Sequence, residues 1–463
     1  MKEFLKNKWF KFSVVAIIYI LMMIWIGNLW LLLGLPALFD VYVTKIVHWA
    51  FWKKRGVKKQ SYFVEWIDAL IFAVVAATLI RIFFIEAYTI PTSSMEKSML
   101  VGDYLFVSKM AYGPKVPNTP LAFPFAHHTM PGTESTKSYS EWIKWPYHRL
   151  AGFGDVERDD VVVFNFPAGD TVWMGDTQSD IYTYIRYYGK QFRIEDEQQG
   201  NALKPNTYYN KKAYEFLESK DEIRIRPVDK RENYIKRCVA LPGDTLESKD
   251  GQLFVNGKAQ HVIEDMQYNY TIKTNGTAIN PRKLDELNIS HADRKGANGS
   301  EFILPLTSAK VEILKRFNNV ISITRVVSPK GMSEDVFPFS ENYNWNRDNF
   351  GPLVLPKKGQ TVSITKETLP LYERVISAYE GNKLVTKEDG IYINGKLATS
   401  YTFKMDYYWM MGDNRHMSAD SRYWGYVPED HIVGKASFVW LSLDKDKSFL
   451  SKVRWNRIFK GIE

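Results

Sequence analysis

The stretch "IPTSSMEKSMLVGDYLFVSK", residues 90–109, marks the point where a long apolar segment gives way to a β-type sequence. Its second half, "GDYLFVSK", combines a Gly-Asp turn with an alternating apolar run, which predicts a β-strand. The stretch is also crowded with hydroxyl and amino groups, those of Ser93, Ser94, Ser98, Lys97 and Lys109. It is therefore either a polar linker leaving a membrane or a serine nucleophile held at a membrane surface.

The composition is that of a folded protein with few groups for metal or redox chemistry. Hydrophobic residues make up 45% and charged residues 24% of the 463 residues, which predicts a globular portion. Cys238 is the only cysteine, which excludes an intramolecular disulfide and cysteine-based zinc or redox sites. The 8 histidines are scattered, with His127-His128 the only adjacent pair. We therefore expect neither a metal site nor a cofactor.

Residues 1–90 predict a membrane anchor. Residues 13–52 are mostly apolar, and as one helix they would be roughly 60 Å long, twice the ~30 Å hydrocarbon core. One span is too few for them, unless their end lies at the interface. Residues 67–90 predict one further span, so the anchor contains two or three transmembrane helices. No clear signal-peptide cleavage site follows the first segment.

Basic residues indicate the orientation of this anchor. Much of the net charge of +9 lies here, which favours topology signals over nucleic-acid binding. The two clusters that precede the first and last apolar segments are Lys2, Lys6, Lys8 and Lys11, and Lys53, Lys54, Arg55, Lys58 and Lys59. Both prefer the cytoplasm, so we favour a hairpin turning at Gly27-Asn28, followed by a third span. The alternative is one long tilted span with the N-terminus outside. Both place everything after Ile90 on the outer side.

The external part is predicted to be mostly β. Strands are indicated at "DVVVFNFP" (160–167) and "YIKRCVALPGD" (234–244), and two similar hairpin units start at Asp250 and Asp389. In the simplest interpretation, the second hairpin unit completes the β-structure that the first unit begins, and the residues between the two units are inserted. The core then comprises residues 91–167, 233–258 and 389–463, with a partly helical insertion at 168–232 and a second, β-rich inserted domain at 259–388.

One local motif suggests a different enzyme. "SMEK", residues 94–97, matches the S-x-x-K pattern of penicillin-binding proteins and β-lactamases. That pattern needs a helix from the serine onward, together with S-D-N and K-T-G motifs elsewhere, and neither motif occurs in this chain. A labelled penicillin would reveal such a transpeptidase.

Five segments in a fixed order indicate another chemistry. They are "IPTSSM", "GD", "DVVVFNFP", "YIKR…LPGD" and "MGDNRHMSADSRYWGYVP". This set closely resembles the bacterial type I signal peptidases, or leader peptidases. The resemblance covers the third span and the core segments, but not the two insertions or the first hairpin. It implies a mostly β, signal-peptidase-like catalytic core that follows N-terminal transmembrane helices. It also implies that these helices lie in the bacterial cytoplasmic (inner) membrane and that the catalytic domain is on the periplasmic side.

The resemblance also implies roles for individual residues. Ser94 is the nucleophile, Lys236 of "YIKR" is the general base, Thr92 helps to form the oxyanion hole, and Ser418 orients the lysine. Structural support is assigned to Arg237, Asp420 and Arg422.

The chemistry of a Ser/Lys pair supports this choice independently. A serine hydroxyl needs a neighbouring base, and lysine can be that base only when it is neutral. Its ordinary pKa of ~10.4 must therefore fall, which burial in apolar surroundings achieves. Lys236 lies in an alternating apolar strand, whereas Lys97 and Lys109 lie in charged or exposed surroundings.

The expected substrate is a preprotein whose signal peptide ends in A-x-A-like small residues. Small apolar pockets for these residues are predicted from Tyr88, Ile90, Pro91, Met95, Met99, Tyr234 and Ile235, where ordinary core packing is an equally good explanation. Membrane lipids and the translocation machinery are further candidate partners, and the insertions could also select a subset of substrates.

Some positions depart from the family pattern. Ser93 replaces a small residue before the nucleophile, residues 96–98 replace a more apolar stretch, and His416-Met417 stand where Asp-Asn is usual. The main alternative from another class is a membrane-anchored scaffold that has kept the fold. The presence of both Ser94 and Lys236 favours the enzyme.

Overall fold

The computed structural model describes residues 7–27, 29–54, 57, 59–176, 180–290, 292–294, 299–445 and 447–462. Several residues of the topology prediction lie outside the described residues, namely Lys2, Lys6, Asn28, Arg55 and Lys58. The helices are α1 Lys8–Ile26, α2 Gly34–Phe39, α3 Tyr62–Phe83, α4 Ile181–Gln198, α5 Asn206–Lys220, α6 Pro281–Glu286, α7 Ser308–Leu314, α8 Leu369–Arg374 and α9 Ser421–Trp424.

The strands are β1 Ile85–Thr89, β2 Asp103–Ser108, β3 Val161–Asn165, β4 Thr171–Trp173, β5 Ile223–Ile225, β6 Asn233–Ala240, β7 Thr245–Lys249, β8 Gln252–Val255, β9 Lys258–Ala259, β10 Gln267–Thr274, β11 Glu301–Thr307, β12 Val320–Arg325, β13 Phe350–Val354, β14 Thr361–Ser363, β15 Leu384–Lys387, β16 Gly390–Ile393, β17 Lys396–Leu397, β18 Ser400–Thr402, β19 Tyr407–Met411, β20 Val427–Pro428, β21 Ile432–Ser442 and β22 Lys460–Gly461.

Helices α1 and α3 are long and apolar enough to cross a membrane. Between them, a shorter apolar segment over Leu29–Thr44 runs back along α1. Near its end, Lys8 Nζ donates to the carbonyl of Val43 at 3.4 Å, and the Phe12 ring lies 5.3 Å from that of Phe39. The segment is therefore antiparallel to α1, as the hairpin interpretation requires. The number of membrane crossings stays a prediction.

The far ends of α1 and α3 meet at the β-rich part of the chain. The rings of Trp25 and Phe83 lie 6.1 Å apart, and Trp25 Nε1 donates to the carbonyl of Ala151 at 3.1 Å. Strand β1 begins two residues after α3 ends, so the last apolar helix leads directly into the sheet.

The central sheet has the strand order β1-β2-β21-β3-β6-β19-β20, with β22 paired to β21. Strand β3 is buried along its whole length because both of its faces are covered. Val161 and Val163 belong to one apolar cluster, while Val162 and Phe164 belong to another. Successive strand residues point to opposite faces, so this sheet is the middle layer of the core. The expectation of a mostly β chain is confirmed.

The first insertion region holds the short β4–β5 pair and the helices α4 and α5 between its strands. The second contains a β11-β10-β12 sheet with a separate apolar cluster that includes Ile272, Leu304 and Leu314. Helices α4 and α5 lie in the region 168–232, which the sequence predicted to be partly helical.

The two similar hairpin units do not pair with each other. The first forms β7-β8-β9 and extends with β13, whereas the second forms the separate sheet β15-β16-β17. They share one apolar cluster, in which Leu253 and Ile391 both lie. The prediction that the second unit closes the first is therefore wrong for the strand pairing. The central sheet continues instead through β19, which pairs with β6.

Candidate active site

Ser94 lies in a tight helical turn, Ser93–Met95, between the edge strand β1 and its partner β2. Backbone hydrogen bonds join the ends of the two strands, from Ile90 N–H to the Asp103 carbonyl at 2.9 Å and from Gly102 N–H to the Ile90 carbonyl at 3.0 Å. Gly102 has φ +90°, and a Cβ there would lie 2.0 Å from a backbone oxygen of Leu443. Only glycine fits this turn without strain.

The buried carboxylate of Asp103 anchors the same turn. It accepts hydrogen bonds from Leu100 N–H at 2.8 Å and from Ser442 Oγ at 2.6 Å, and it pairs with the guanidinium of Arg457. The "GD" motif, Gly102-Asp103, thus forms a rigid turn that holds the Ser94 segment in place.

Lys236 reaches Ser94 from the centre of the sheet. It lies on β6 opposite Val162 of β3, and its Nζ is 2.7 Å from Ser94 Oγ. The same Nζ donates to the carbonyl of Ile235 at 3.0 Å. Lys236 is 3% exposed and Ser94 is 7% exposed, so the pair is largely shielded from water. The two residues are 142 positions apart in the chain. The register of β6 on β3 fixes where Lys236 lies along the sheet, and so brings it level with Ser94.

The surroundings of Lys236 favour its neutral form. Burial lowers the pKa of the Lys236 ammonium to about 8, against the attraction of Asp420 and Asp413. Burial removes the hydration that stabilises a charged amine, so the neutral form is favoured. Near neutral to alkaline pH, Lys236 can accept a proton from Ser94.

Thr92 and Ser418 lie on two sides of the serine. Thr92 Oγ1 is 3.5 Å from Ser94 Oγ. Ser418 lies behind Gly412, where an added Cβ would be 2.3 Å from Ser418 Oγ and 2.5 Å from the Ser94 carbonyl oxygen. Within the described residues, Ser418 Oγ donates to the Ala419 carbonyl at 3.4 Å and forms no hydrogen bond with Lys236. The orienting role of Ser418 stays a prediction.

Two buried ion pairs support the loop behind the serine. Asp420 and Arg422 form a two-point pair, with Arg422 Nε and Nη2 each 2.8 Å from a carboxylate oxygen. Arg237, beside Lys236 on β6, makes a similar pair with Asp413 at 2.9 and 2.7 Å. Ser98 Oγ donates to the same Asp413 carboxylate at 2.5 Å. Charge-assisted two-point pairs have a restrictive geometry, so they fix the positions of β6 and of the loop after β19.

Sequence reasoning assigned no role to Asp413 or Asn414, which were recognised only as part of the last motif. Asn414 N–H donates to the Ser94 carbonyl at 3.1 Å, and its side-chain amide donates to the Ser93 carbonyl at 3.2 Å. These contacts attach the Ser93–Met95 turn directly to the "GDN" loop, residues 412–414. The position of Asp413 beside Gly412 indicates a turn, but nothing local indicates its partner Arg237.

The unusual His416 is part of a buried contact with the inserted region. Its Nε2 lies 2.9 Å from the Asp348 carboxylate, and its Nδ1 accepts from Asn269 N–H at 3.1 Å. Both partners lie in the region 259–388, which the sequence predicted as a second inserted domain, so His416 connects that region to the loop behind Ser94. The neighbouring Met417 is 53% exposed.

The nucleophile turn also contacts this insertion. Lys97 Nζ donates to Glu96 at 2.9 Å and to the Asn288 carbonyl at 3.0 Å. Lys97 and Lys109 therefore have other partners than Ser94, since Lys109 pairs with Glu86 at 2.8 Å.

The predicted pocket residues divide into two groups. Ile235, Tyr88 and Ile90 lie in or against one apolar cluster, which also contains Met95 and Met99. Tyr234 packs on the opposite face of β6, where its ring stacks on Phe166 at 4.4 Å. Adjacent strand residues face opposite ways, so Tyr234 and Ile235 cannot line one common pocket.

The remaining pocket residues differ in exposure. Met95 and Met99 have no exposed surface and form the packed floor beneath the turn, whereas Pro91 is exposed beside it. Among the described residues, no group of three or more His, Cys, Asp or Glu side chains is arranged to hold a metal ion.

Comparison with known proteins agrees with this architecture. The family model described as "Signal peptidase, peptidase S26" matches residues 63–304 and 349–441. Signal peptidase I of Buchnera aphidicola subsp. Acyrthosiphon pisum is 23% identical over 403 residues, which cover 87% of this chain and 82% of that protein. Signal peptidase I of Pseudomonas aeruginosa is 22% identical over 397 residues, 83% and 75% of the two chains. Signal peptidase I of Haemophilus influenzae is 47% identical over 57 residues, which cover 12% of this chain and 16% of that protein.

The chain belongs to the signal peptidase family, peptidase S26. Its activity is that of a type I signal peptidase, a serine peptidase that cleaves signal peptides from preproteins. The two apolar helices near its N-terminus associate it with the membrane. The resemblance predicted from the five sequence segments is thus confirmed.

Proposed function

We propose that Ser94 is the nucleophile and neutral Lys236 the general base of this peptidase. The observation that carries the proposal is the 2.7 Å distance between Lys236 Nζ and Ser94 Oγ in a buried site. The lowered pKa of Lys236 supports it, because only the free amine can accept the hydroxyl proton.

The reaction then follows from the positions of these groups. Lys236 Nζ takes the proton of Ser94 as Oγ attacks the scissile carbonyl carbon. The Thr92 hydroxyl and the backbone N–H of Ser94 stabilise the negative oxygen that forms. The Lys236 ammonium protonates the leaving amine, which releases the mature protein and leaves the signal peptide as an ester on Ser94. A water molecule, deprotonated by Lys236, then hydrolyses that ester.

We infer a shallow apolar pocket beside the Ser94 turn, bounded by Tyr88, Ile90 and Ile235. Tyr234 faces the other side of β6 and lies outside this pocket. Met95 and Met99 support the turn from below. Shallow, apolar pockets of this kind accept alanine-like residues and exclude longer ones, which supports cleavage after A-x-A-like sequences.

The test uses the purified full-length protein and a preprotein with an A-x-A signal peptide. Ser94→Ala and Lys236→Met should each reduce cleavage to background, and the double variant should be no worse than either single one. Lys97→Met is the matched control and should cleave normally. N-terminal sequencing of the product identifies the cleaved bond. Activity in Ser94→Ala would contradict both the assignment and the S-x-x-K alternative, which share this serine. Loss of activity in Lys97→Met, with Lys236→Met still active, would favour the S-x-x-K alternative.

We propose further that residues 1–90 cross the cytoplasmic membrane three times and that the catalytic part is periplasmic. The return of Leu29–Thr44 along α1 and the meeting of Trp25 with Phe83 support this arrangement. A reporter fused at Met1 should be cytoplasmic, and one inserted at Gly27 should be external. Protease added from outside should reach residues after Ile90. A cytoplasmic catalytic part would refute the proposal, and an external Met1 would favour the single tilted span.

A further inference from the structure

A polar cavity lies where the last apolar helix joins the sheet. Its volume is about 180 Å³, below the roughly 300–1,000 Å³ of typical small-molecule pockets, so it suits one polar group rather than a large ligand. Its walls come from the end of α3, from β1, from the loop around residues 115–127 and from the segment just before β6. It is separate from the Ser94–Lys236 pair, neither of which lines it.

Basic side chains outnumber acidic ones in the cavity wall. The charged groups that line it are Arg81, Lys109, Lys115 and Lys230, and Glu86 and Asp229; His127 also faces it. Two of the cations share one anion, since Arg81 and Lys109 both pair with the Glu86 carboxylate. Burial opposes ionisation there, yet Lys109 and Arg81 together lower the pKa of Glu86 to about 2, so it remains negative.

The other carboxylate, that of Asp229, attracts both remaining lysines. One of its oxygens accepts two hydrogen bonds from Thr119, at 3.0 and 2.9 Å. Lys115 donates to neutral oxygens, the Asn165 side chain and the Asp430 carbonyl, both at 2.8 Å, and burial lowers the pKa of its ammonium to about 7. Four basic side chains thus face two carboxylates in the cavity wall.

Lys230 is the least satisfied of these cations. It is 8% exposed, its ammonium lies 5.4 Å from the centre of the Tyr139 ring, and within the described residues it has no hydrogen bond or ion pair. Burial lowers the pKa of this ammonium, against the attraction of the neighbouring Asp229. A largely buried charge without a hydrogen bond or ion pair is costly, so a further anion in the cavity would stabilise the site.

The position of the cavity indicates where the anion comes from. Thr78 and Ile82 of the apolar helix α3 form part of its wall, so the cavity meets the membrane at the level where the helix leaves it. Phe123 and Phe125, on the loop beside it, are 52% and 57% exposed, and exposed apolar side chains of this kind can enter the boundary between headgroups and acyl chains. The basic N-terminal part of a signal peptide would be repelled by this charge.

We propose that this cavity binds the phosphate of a membrane phospholipid, held by Lys230 together with Lys109 and Arg81, while Phe123 and Phe125 lie among the acyl chains. The lipid would fix the height and tilt of the catalytic part above the bilayer. The site is independent of the proposed Ser/Lys chemistry.

The test measures lipid binding, not cleavage. Full-length protein in a phosphate-free maltoside detergent is titrated with dioleoyl phosphatidylglycerol and followed by native mass spectrometry. Wild type should retain one tightly bound phospholipid. Lys230→Met keeps the side-chain length without the charge, and should weaken that binding at least about tenfold, as loss of a charge-assisted contact predicts. Arg81→Gln should weaken it similarly. Lys387→Met is the matched control, because Lys387 also lies over a tyrosine ring, that of Tyr392 at 4.5 Å, but is exposed and outside the cavity.

Three further arms distinguish the occupants. A diacyl glycolipid without phosphate should not fill the site, and millimolar inorganic phosphate should not displace the phospholipid. Equal retention of lipid by wild type and both cavity variants would overturn the proposal. So would retention of the glycolipid, displacement by inorganic phosphate alone, or displacement by a signal peptide. Normal preprotein cleavage by Lys230→Met would show that the variant is folded. If that variant does not fold, Arg81→Gln decides the outcome.

Discussion

Replacing Lys236 with methionine should stabilise the protein while abolishing cleavage. The pKa of Lys236 falls from an ordinary 10.5 to about 8 in the native state. At about 1.36 kcal/mol per pH unit, this corresponds to roughly 3 kcal/mol by which the buried ammonium destabilises the fold at neutral pH. Methionine has a similar length and no charge, so it removes that cost. The lost hydrogen bond to Ser94 offsets about 1 kcal/mol.

The sign of the effect depends on pH in a defined way. Below pH 8 the lysine is charged in both states, and the native protein carries the full cost of burying it. Between about 8 and 10.5 the native lysine has released its proton while the unfolded chain still holds one. Wild-type stability should therefore rise with pH across this window, and the contribution should vanish above it. Lys236→Met should lack this rise.

Thermal unfolding of the full-length protein in detergent can measure the difference. A net gain of about 2 kcal/mol spread over a chain of this length corresponds to a rise in Tm of roughly 2 °C at pH 7. The gain should shrink to zero or reverse by pH 10.5. Lys387→Met makes the same chemical change at an exposed position and should leave Tm unchanged. A variant no more stable than wild type at pH 7, or a gain independent of pH, would refute the reasoning about the buried lysine.

Four other outcomes are expected. The cleavage rate should fall about tenfold per pH unit below about 8, because the neutral base is titrated away, and a flat profile from pH 6 to 9 would contradict this. Thr92→Val should lower kcat by ~10²–10³-fold with little change in KM; unchanged turnover would show that backbone donors suffice. Gly412→Ala should reduce activity sharply, because its Cβ has no room, whereas Gly154→Ala, with nothing within 4 Å, should be neutral. His416→Ala should lower the unfolding free energy by about 1–3 kcal/mol in chemical denaturation, because one oxygen of the buried Asp348 carboxylate loses its contact with the imidazole; an unchanged midpoint would show that the contact contributes nothing.

The core strands could be predicted because their signals are local. "DVVVFNFP" and "YIKR" are short apolar runs with clear ends, and each folds as a strand over nearly the predicted residues. The candidate pair Ser94 and Lys236 came from motifs that carry their chemistry in a few adjacent residues. The distance between them required the register of β3 on β6, which is a property of the assembled sheet.

Long-range contacts could not be predicted in the same way. Arg237 and Asp413 are 176 residues apart, and each alone looks like a surface charge. Their pairing exists because β6 and β19 are neighbours in the sheet, with Arg237 opposite Met411. The pairing of the two similar hairpin units was predicted wrongly, because their motifs carry only local information. Their turn residues fix a local hairpin, but nothing in a hairpin motif specifies which strand lies next to it.

Strand β10, in the region predicted as a second insertion, is hydrogen-bonded to the loop that follows β19. At the start of β10, the backbone N–H of Gln267 donates to the Asp413 carbonyl, and the Gln267 carbonyl accepts from Arg415 N–H, both at 2.9 Å. The residue between Asp413 and Arg415, Asn414, donates to the carbonyls of Ser93 and Ser94. A displacement of β10 would therefore shift the loop that holds the Ser94 turn. Because the distance between Ser94 and Lys236 decides whether a proton can pass in the proposed mechanism, the position of β10 bears directly on that mechanism.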